Sequence, residues 1–285
     1  MPRFGSRVTD ALKSMLRPAL VADHSFVVAD WSAIEGRVNP WLCGAEDKLD
    51  IFRQRLDPYK VNAAATYGVQ YSDVTDEQRQ VGKVQELALG FGGSVGAFAA
   101  MGRGYGVRFE EAQARRIVDA WRRANPWAVM FWQDLERAYM SAMRHPGHEF
   151  TAGRITYVYD KQHLWYMLPS GRVLCYPFAR FEGEHLTYAK ASWKPAADAT
   201  EWPRARLWGG LACENVTQAS AHDILRAALR QCEGTVAHVH DEIVIETAEP
   251  EKAKAELERI MVTPPDWAVG LPLAVEAKIM VRYGK

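Results

Sequence analysis

Strand-like runs lie at both ends of this chain, and a long stretch of helical periodicity separates them. "FVVADW" (Phe26 to Trp31) is rich in Val and suits a buried strand. "TVAHVHDEIVIET" reads as two short apolar runs around a polar tip, a hairpin, and "LPLAVEAKIMV" as a closing strand. Strands at both ends around a helical middle point to an α+β fold in which one lobe is interrupted by an inserted, mainly helical one.

The middle is punctuated clearly. Helical patterning runs from Ser32 to about Leu56. In "VTDEQRQVGKVQELALGFGG", Thr75 followed three residues later by Gln78 is a capping-box signature, so a helix is expected from about Thr75 until Gly90, Gly92 and Gly93 stop it. Residues 110–124 and 127–143 form two further helices, broken at Ala124 to Pro126. From Phe150 to Tyr188 the texture is that of β-hairpins, and residues 191–206 read as an excursion rich in Ala, Pro and Trp. "CENVTQASAHDILRAALRQC" is helical again, and Pro250 stands at the first position of another helix.

Composition narrows the class without naming it. Lys plus Arg and Asp plus Glu are both 35, so the total does not announce a nucleic-acid binder, although a cleft can be basic in a neutral molecule. Cys43, Cys175, Cys213 and Cys232 are widely spaced with no CxxC pair, which argues against a zinc site or a disulfide framework and fits a reducing cytoplasm. No apolar run reaches a membrane span, and the N-terminal stretch lacks a signal-peptide core. That stretch sets Arg3, Arg7, Lys13 and Arg17 against a single Asp10, a pattern that an ordinary solvated helix face also has.

Three constellations carry chemistry. The first apolar strand ends on Asp30, and the hairpin tip is His240-Asp241-Glu242. Taken singly, the tip could be a solvated turn, and Asp30 is also a good helix cap. Taken together, one Asp at a strand end and another on a hairpin tip can sit side by side on one sheet. Hard oxygen ligands of this kind suit Mg²⁺, which keeps waters and recruits substrate phosphates; two such ions activate an attacking oxygen and stabilise a leaving one. In the helix after Thr75, Arg79, Lys83, Leu87 and Phe91 recur every four residues and share a broad face. An Arg and a Lys one turn apart can hold a triphosphate, and an aromatic at the end of the stripe can stack on a base. The alternative is an exposed basic pair above a core stripe. "GFGGSVG" is not a Walker A loop, because it lacks the Gly-Lys-Ser/Thr ending.

In this order, "DWSAIEGR", "RQVGKVQELALGFGG" and "HVHDEIVIE" resemble the three signature motifs of family A DNA polymerases, the DNA polymerase I class, with the phage-type branch closest. "LWGGLACENVTQASAHDIL" and "LPSGRVLCYP" are similar to segments of that branch, and the likeness runs from about Arg17 to Tyr283.

The resemblance implies an antiparallel palm sheet with helices at residues 1–52 and 205–285, and fingers with a β-hairpin region at 53–204. It implies template-directed addition of dNTPs to a primer 3′-hydroxyl, with two Mg²⁺ ions (Mn²⁺ as a substitute) on Asp30, Asp241 and the Trp31 carbonyl. Glu242 and His240 would support the metal site and the primer terminus. Arg79 and Lys83 would grip the triphosphate, with Lys83 also protonating the leaving pyrophosphate. Glu35 would lie under the sugar and exclude a 2′-hydroxyl, with Leu87 and Phe91 completing the nucleotide site. Gln218 and Arg37 would touch DNA.

The pattern departs from the family at Ala33, Gly36, Leu87 and Phe91, while Asn215 is one residue out of register and His222 falls where a basic residue is common. With only 29 residues before Asp30, neither a thumb nor an exonuclease domain is expected. The expectation is therefore distributive synthesis on primer-template DNA, with a separate chain as the source of thumb or exonuclease functions and no membrane partner. A two-metal nuclease would also use paired aspartates but would not need the Arg79/Lys83/Phe91 stripe. A non-catalytic DNA-binding remnant within a larger complex would bind duplex whether or not the acidic pair were intact.

Overall fold

The computed structural model describes residues 15–190 and 202–284. Arg3, Arg7 and Lys13 of the basic N-terminal stretch, and residues 191–201 of the expected excursion, lie outside those residues. In chain order the regular elements are β1 (Val21–Trp31), α1 (Ile34–Cys43), α2 (Glu46–Arg53), α3 (Pro58–Tyr67), α4 (Asp76–Leu89), α5 (Val95–Gly104), α6 (Glu111–Ala124) and α7 (Pro126–Arg144). There follow β2 (Phe150–Ala152), β3 (Ile155–Asp160), β4 (His163–Met167), β5 (Val173–Tyr176), β6 (Arg180–Glu182), β7 (His185–Ala189) and β8 (Arg204–Leu207). The chain closes with α8 (Gly209–Leu229), β9 (Thr235–Val239), β10 (Glu242–Thr247), α9 (Pro250–Val262) and β11 (Val275–Arg282). The described residues divide into two compact units, one within 1–34 and 221–285 and the other within 35–220.

The first unit is built on a four-stranded antiparallel sheet of order β11-β1-β10-β9. Its central strand β1 carries Phe26, Val27, Val28 and Ala29, all buried, as its Val-rich sequence requires. The indole Nε1 of the buried Trp31 donates to the Met261 carbonyl of α9 at 2.7 Å, which anchors the far end of β1 to the helix packed on it.

The second unit is helical through α7, then β. Thr75 and Gln78 form the expected capping box at the start of α4. Its buried side faces a core that includes Phe98, Ile117, Val118 and Trp121. The helical stretch expected from Ser32 to Leu56 is two helices: Gly44 adopts φ +75°, a left-handed residue that ends α1 before α2 begins. The β region forms a sheet of order β2-β3-β4-β5 and a second of order β6-β7-β8. Residues 204–207 are therefore not part of an irregular excursion: they pair with β7, Ala189 opposite Arg204 and Leu186 opposite Leu207.

Gly82 marks the closest approach of α3 and α4, because a Cβ there would stand 2.0 Å from the Tyr59 carbonyl oxygen. Gly82→Ala gains helix propensity of about 0.5–1 kcal/mol but overpacks a backbone contact, which typically costs about 1–3 kcal/mol. The overpacking term wins because the clash is with a carbonyl and not with a yielding side chain. A lower melting temperature by calorimetry is the expected result, and an unchanged one would contradict this packing.

Candidate functional site

In the first unit, the register of β1 sets out a row of acids. Asp30 pairs with Glu242 of β10 on one side and with Glu276 of β11 on the other. Directly opposed residues of an antiparallel sheet project from the same face, so three carboxylates lie in line across three strands. Asp241 joins them from the two-residue turn between β9 and β10. His240 takes φ +58° there, the left-handed conformation such a turn asks of its first position. The Trp31 amide donates to the Asp241 carbonyl at 3.4 Å, which ties this turn to the end of β1. His240 Nδ1 lies 2.9 Å from Asp241 Oδ1, so the imidazole is held beside the carboxylate.

Glu242 is buried, and its Oε1 accepts a hydrogen bond from the Tyr283 hydroxyl. Burial first, and then this bond to Glu242, push the Tyr283 hydroxyl up to about 12, so it keeps its proton and remains a donor at neutral pH. The guanidinium of Arg17 lies 5.3 Å from the centre of the Tyr283 ring. Neither Glu276 nor Tyr283 stood out in the sequence. Glu276 alternates within an apolar strand, and the register that sets it opposite Asp30 spans 246 residues, so only the β11 strand assignment could have raised it.

Among the described residues, no cluster of three or more His, Cys, Asp or Glu side chains is arranged to hold a metal ion. The set gathered at this sheet end is a pair of aspartates, half-buried in both cases, and the Trp31 carbonyl. All are hard oxygen donors, and Mg²⁺ is commonly bound by one or two carboxylates with substrate phosphates completing the shell. The donor set fits that ion.

In the second unit, α4 presents the basic stripe. Arg79, Lys83, Leu87 and Phe91 are all half-buried, whereas Val81, Gly82, Val84, Gln85, Ala88 and Leu89 are buried. Arg79 Nε donates to Asp57 Oδ2 at 2.5 Å, and its guanidinium sits 5.3 Å from the centre of the Tyr59 ring. Asp57 also caps α3 by accepting from the Tyr59 amide at 2.8 Å. Lys83 Nζ lies 5.0 Å from the centre of the Tyr105 ring. Phe91 follows the end of α4, where the Gly90 carbonyl accepts from Trp132 Nε1 at 3.0 Å and from Asn39 Nδ2 at 3.1 Å. Two donors on one carbonyl fix the point at which the chain leaves the helix.

Glu35, in the first turn of α1, accepts from Gln218 Nε2 of α8 at 3.2 Å, so two of the expected site residues meet. Arg37 does not reach the surface: it is 7% exposed, and its guanidinium stacks 4.4 Å from the centre of the Phe52 ring. Burial lowers it to about 10, so it stays charged at neutral pH with its guanidinium against the face of an aromatic ring. Asn215 donates to the buried Tyr176 hydroxyl at 3.0 Å, a contact inside the second unit's core. His222 is exposed on α8.

Comparison with known proteins follows the same lines. Over 288 residues the chain is 34% identical to the DNA polymerase of Bacillus phage SP02, covering 98% of this chain and 44% of that protein. The DNA polymerase I of Pseudomonas aeruginosa is 31% identical over 145 residues, which cover 50% of this chain and 15% of the relative. A solved structure of the POL domain of Pol1 from M. smegmatis, in complex with DNA primer-template and dNTP, matches with a TM-score of 0.64 at 17% identity, over 93% of this chain and 41% of that one. No family model matches. The fold is that of the polymerase domain of the DNA polymerase I class. The chain is similar to the phage SP02 DNA polymerase over nearly all of its own length and spans less than half of that relative's. Among the described residues, no helix is long and apolar enough to cross a membrane.

Proposed function

We propose that this chain carries out template-directed DNA synthesis, adding dNTPs to a primer 3′-hydroxyl. The observation that supports it best is the convergence of Asp30 and Asp241 at one sheet end, in a chain that aligns over nearly all of its own length with part of a DNA polymerase. In this reading the first unit, with its β1-β10 sheet end, acts as the palm and the α4 stripe belongs to the fingers. The 3′-hydroxyl gives its proton to solvent water, its oxygen forms a bond to the α-phosphorus, the bond from that phosphorus to the bridging oxygen breaks, and pyrophosphate departs. Asp30, Asp241 and the Trp31 carbonyl would hold Mg²⁺, which when bound activates the attacking oxygen and stabilises the leaving one. Arg79 grips the triphosphate through its fork, and Lys83 gives the departing pyrophosphate a proton. Glu242, held by Tyr283, keeps the acidic row rigid, and His240 braces Asp241 next to the primer end.

The basic pair Arg79 and Lys83, half-buried on one face of α4, favours a polymerase over a nuclease, since cleavage alone has no use for a triphosphate grip. Primer extension with labelled DNA, Mg²⁺ and dNTPs tests the reading directly: products that lengthen support it, and products that only shorten make the chain a nuclease.

Glu35 sets sugar selectivity in this reading. Its carboxylate, steered by Gln218, packs beneath the sugar and leaves no room for a 2′-hydroxyl. Glu35→Ala is therefore expected to raise incorporation of rNTPs relative to dNTPs. Competition assays with both nucleotides check this, and an unchanged ratio would move the discrimination to another residue, with Phe91 first in line.

A further inference from the structure

The β region of the second unit has a surface that the proposed chemistry does not use. Residues 150–207 hold 8 Lys and Arg against 5 Asp and Glu, in a chain whose total is balanced at 35 of each. Aromatic rings are concentrated on its exterior: Trp165 is 37% exposed, Phe178 50%, Phe181 41% and Trp202 58%.

Three of the rings there form a ladder. His163 and Trp165 alternate along β4 and so share one face of the sheet, with ring centres 5.5 Å apart and planes 22° apart. His163 in turn lies 5.1 Å from Phe178. Phe178 borders a cleft of about 410 Å³, lined also by Tyr159, Gln162, Arg180, Trp202 and Arg204.

Phe178 adopts φ +50°, a left-handed conformation that a bulky side chain rarely takes. Arg204 holds it there: Nη2 donates to the Phe178 carbonyl at 2.8 Å and to the Thr187 carbonyl at 2.9 Å. Backbone strain of this kind persists only where the surroundings enforce it, and it concentrates at binding sites. Here its effect is to keep a phenyl ring half in solvent beside the ladder. The guanidinium groups of Arg180 and Arg204 both lean on the single carboxylate of Glu182, at 2.8 Å and 3.0 Å, so among these described residues two cations share one anion at the rim of the cleft.

We infer that the ring ladder Trp165–His163–Phe178 and the arginine-rimmed cleft beside it form a stacking platform for single-stranded DNA. Exposed rings accept the faces of unpaired bases regardless of sequence, and the surplus cations track the phosphates. A duplex hides its base faces, so it could not use the ladder. The choice of DNA as occupant rests on the polymerase reading, which supplies an unpaired template strand; the stacking chemistry itself does not.

The test is equilibrium binding of the full chain, by fluorescence anisotropy and without dNTPs. The probes are a labelled oligo-dT of about 16 nucleotides and an oligomer of equal length with abasic sugars in place of its central bases. Wild type should bind the abasic strand roughly tenfold or more weakly, and Trp165→Ala with Phe178→Gly should weaken oligo-dT binding by roughly tenfold per ring lost. The double variant should also become indifferent to base removal. Glycine suits a positive φ, so Phe178→Gly should cause no large fall in melting temperature, and lost binding then reports the ring and not unfolding. A variant that still distinguishes intact from abasic strands overturns the inference, as does a wild type that does not. So does a change in sedimentation on ring removal with DNA binding intact, which would make the face a contact between copies of this chain. Ring-dependent binding in a chain that fails to extend primers would sink the polymerase reading alone.

Discussion

If Asp30 and Asp241 hold the metal as proposed, replacing either by Ala is expected to lower the primer-extension rate by roughly two orders of magnitude or more, since the proposed site has few ligands. The fold should tolerate the change. Asp30 stands opposite Glu242 and Glu276 in register, and like charges directly opposed across strands are destabilising. Removing its carboxylate relieves that repulsion, so the melting temperature should hold or rise without Mg²⁺. The informative outcome is the pairing of lost activity with retained stability. Substantial extension by both variants would remove the acidic pair from the mechanism.

Lys83→Ala is expected to depress kcat by about 10²–10⁴-fold if its ammonium protonates the leaving pyrophosphate. Arg79→Ala should act differently. It removes a charge-assisted hydrogen bond of about 1.5–3 kcal/mol and should appear mainly as a higher KM for dNTP. The salt bridge that Arg79 makes with Asp57 is partly exposed, so its loss should cost little stability. Asp57 keeps its capping bonds to α3 in either case. Steady-state kinetics over a dNTP series separate the two variants, and equal effects on primer binding with no change in dNTP dependence would take α4 out of the nucleotide site.

The residues in which these expectations are rooted were readable in the sequence because each has a local signature. Asp30 terminates a Val-rich run, Asp241 sits at a hairpin tip, and Thr75 with Gln78 announces α4. What was missed lacked such a signature or had one that was passed over. The start of α3 was legible in principle: Asp57 caps it, Pro58 occupies its first position and Gly68 ends it at φ +67°. For α5, Gly96, Gly102 and Gly104 argue against a helix that tertiary packing around Phe98 nevertheless enforces. Glu276 and Tyr283 owe their places to the register of β11, which no local pattern encodes. Arg37 lies two residues after Glu35 in sequence, and its burial against the ring of Phe52 is a tertiary feature that no local pattern encodes.

The sheet of the first unit also dictates an order of assembly. β1 ends at Trp31, yet both of its neighbours, β10 and β11, begin no earlier than Glu242. During translation its apolar residues must therefore wait while more than two hundred further residues emerge, for some ten seconds or more at about 5–20 residues per second. Residues 35–220 form a contiguous unit that can fold in that interval. Completion of this sheet is then a late event on the ribosome, and pairing so distant in sequence is expected to be slow in refolding as well.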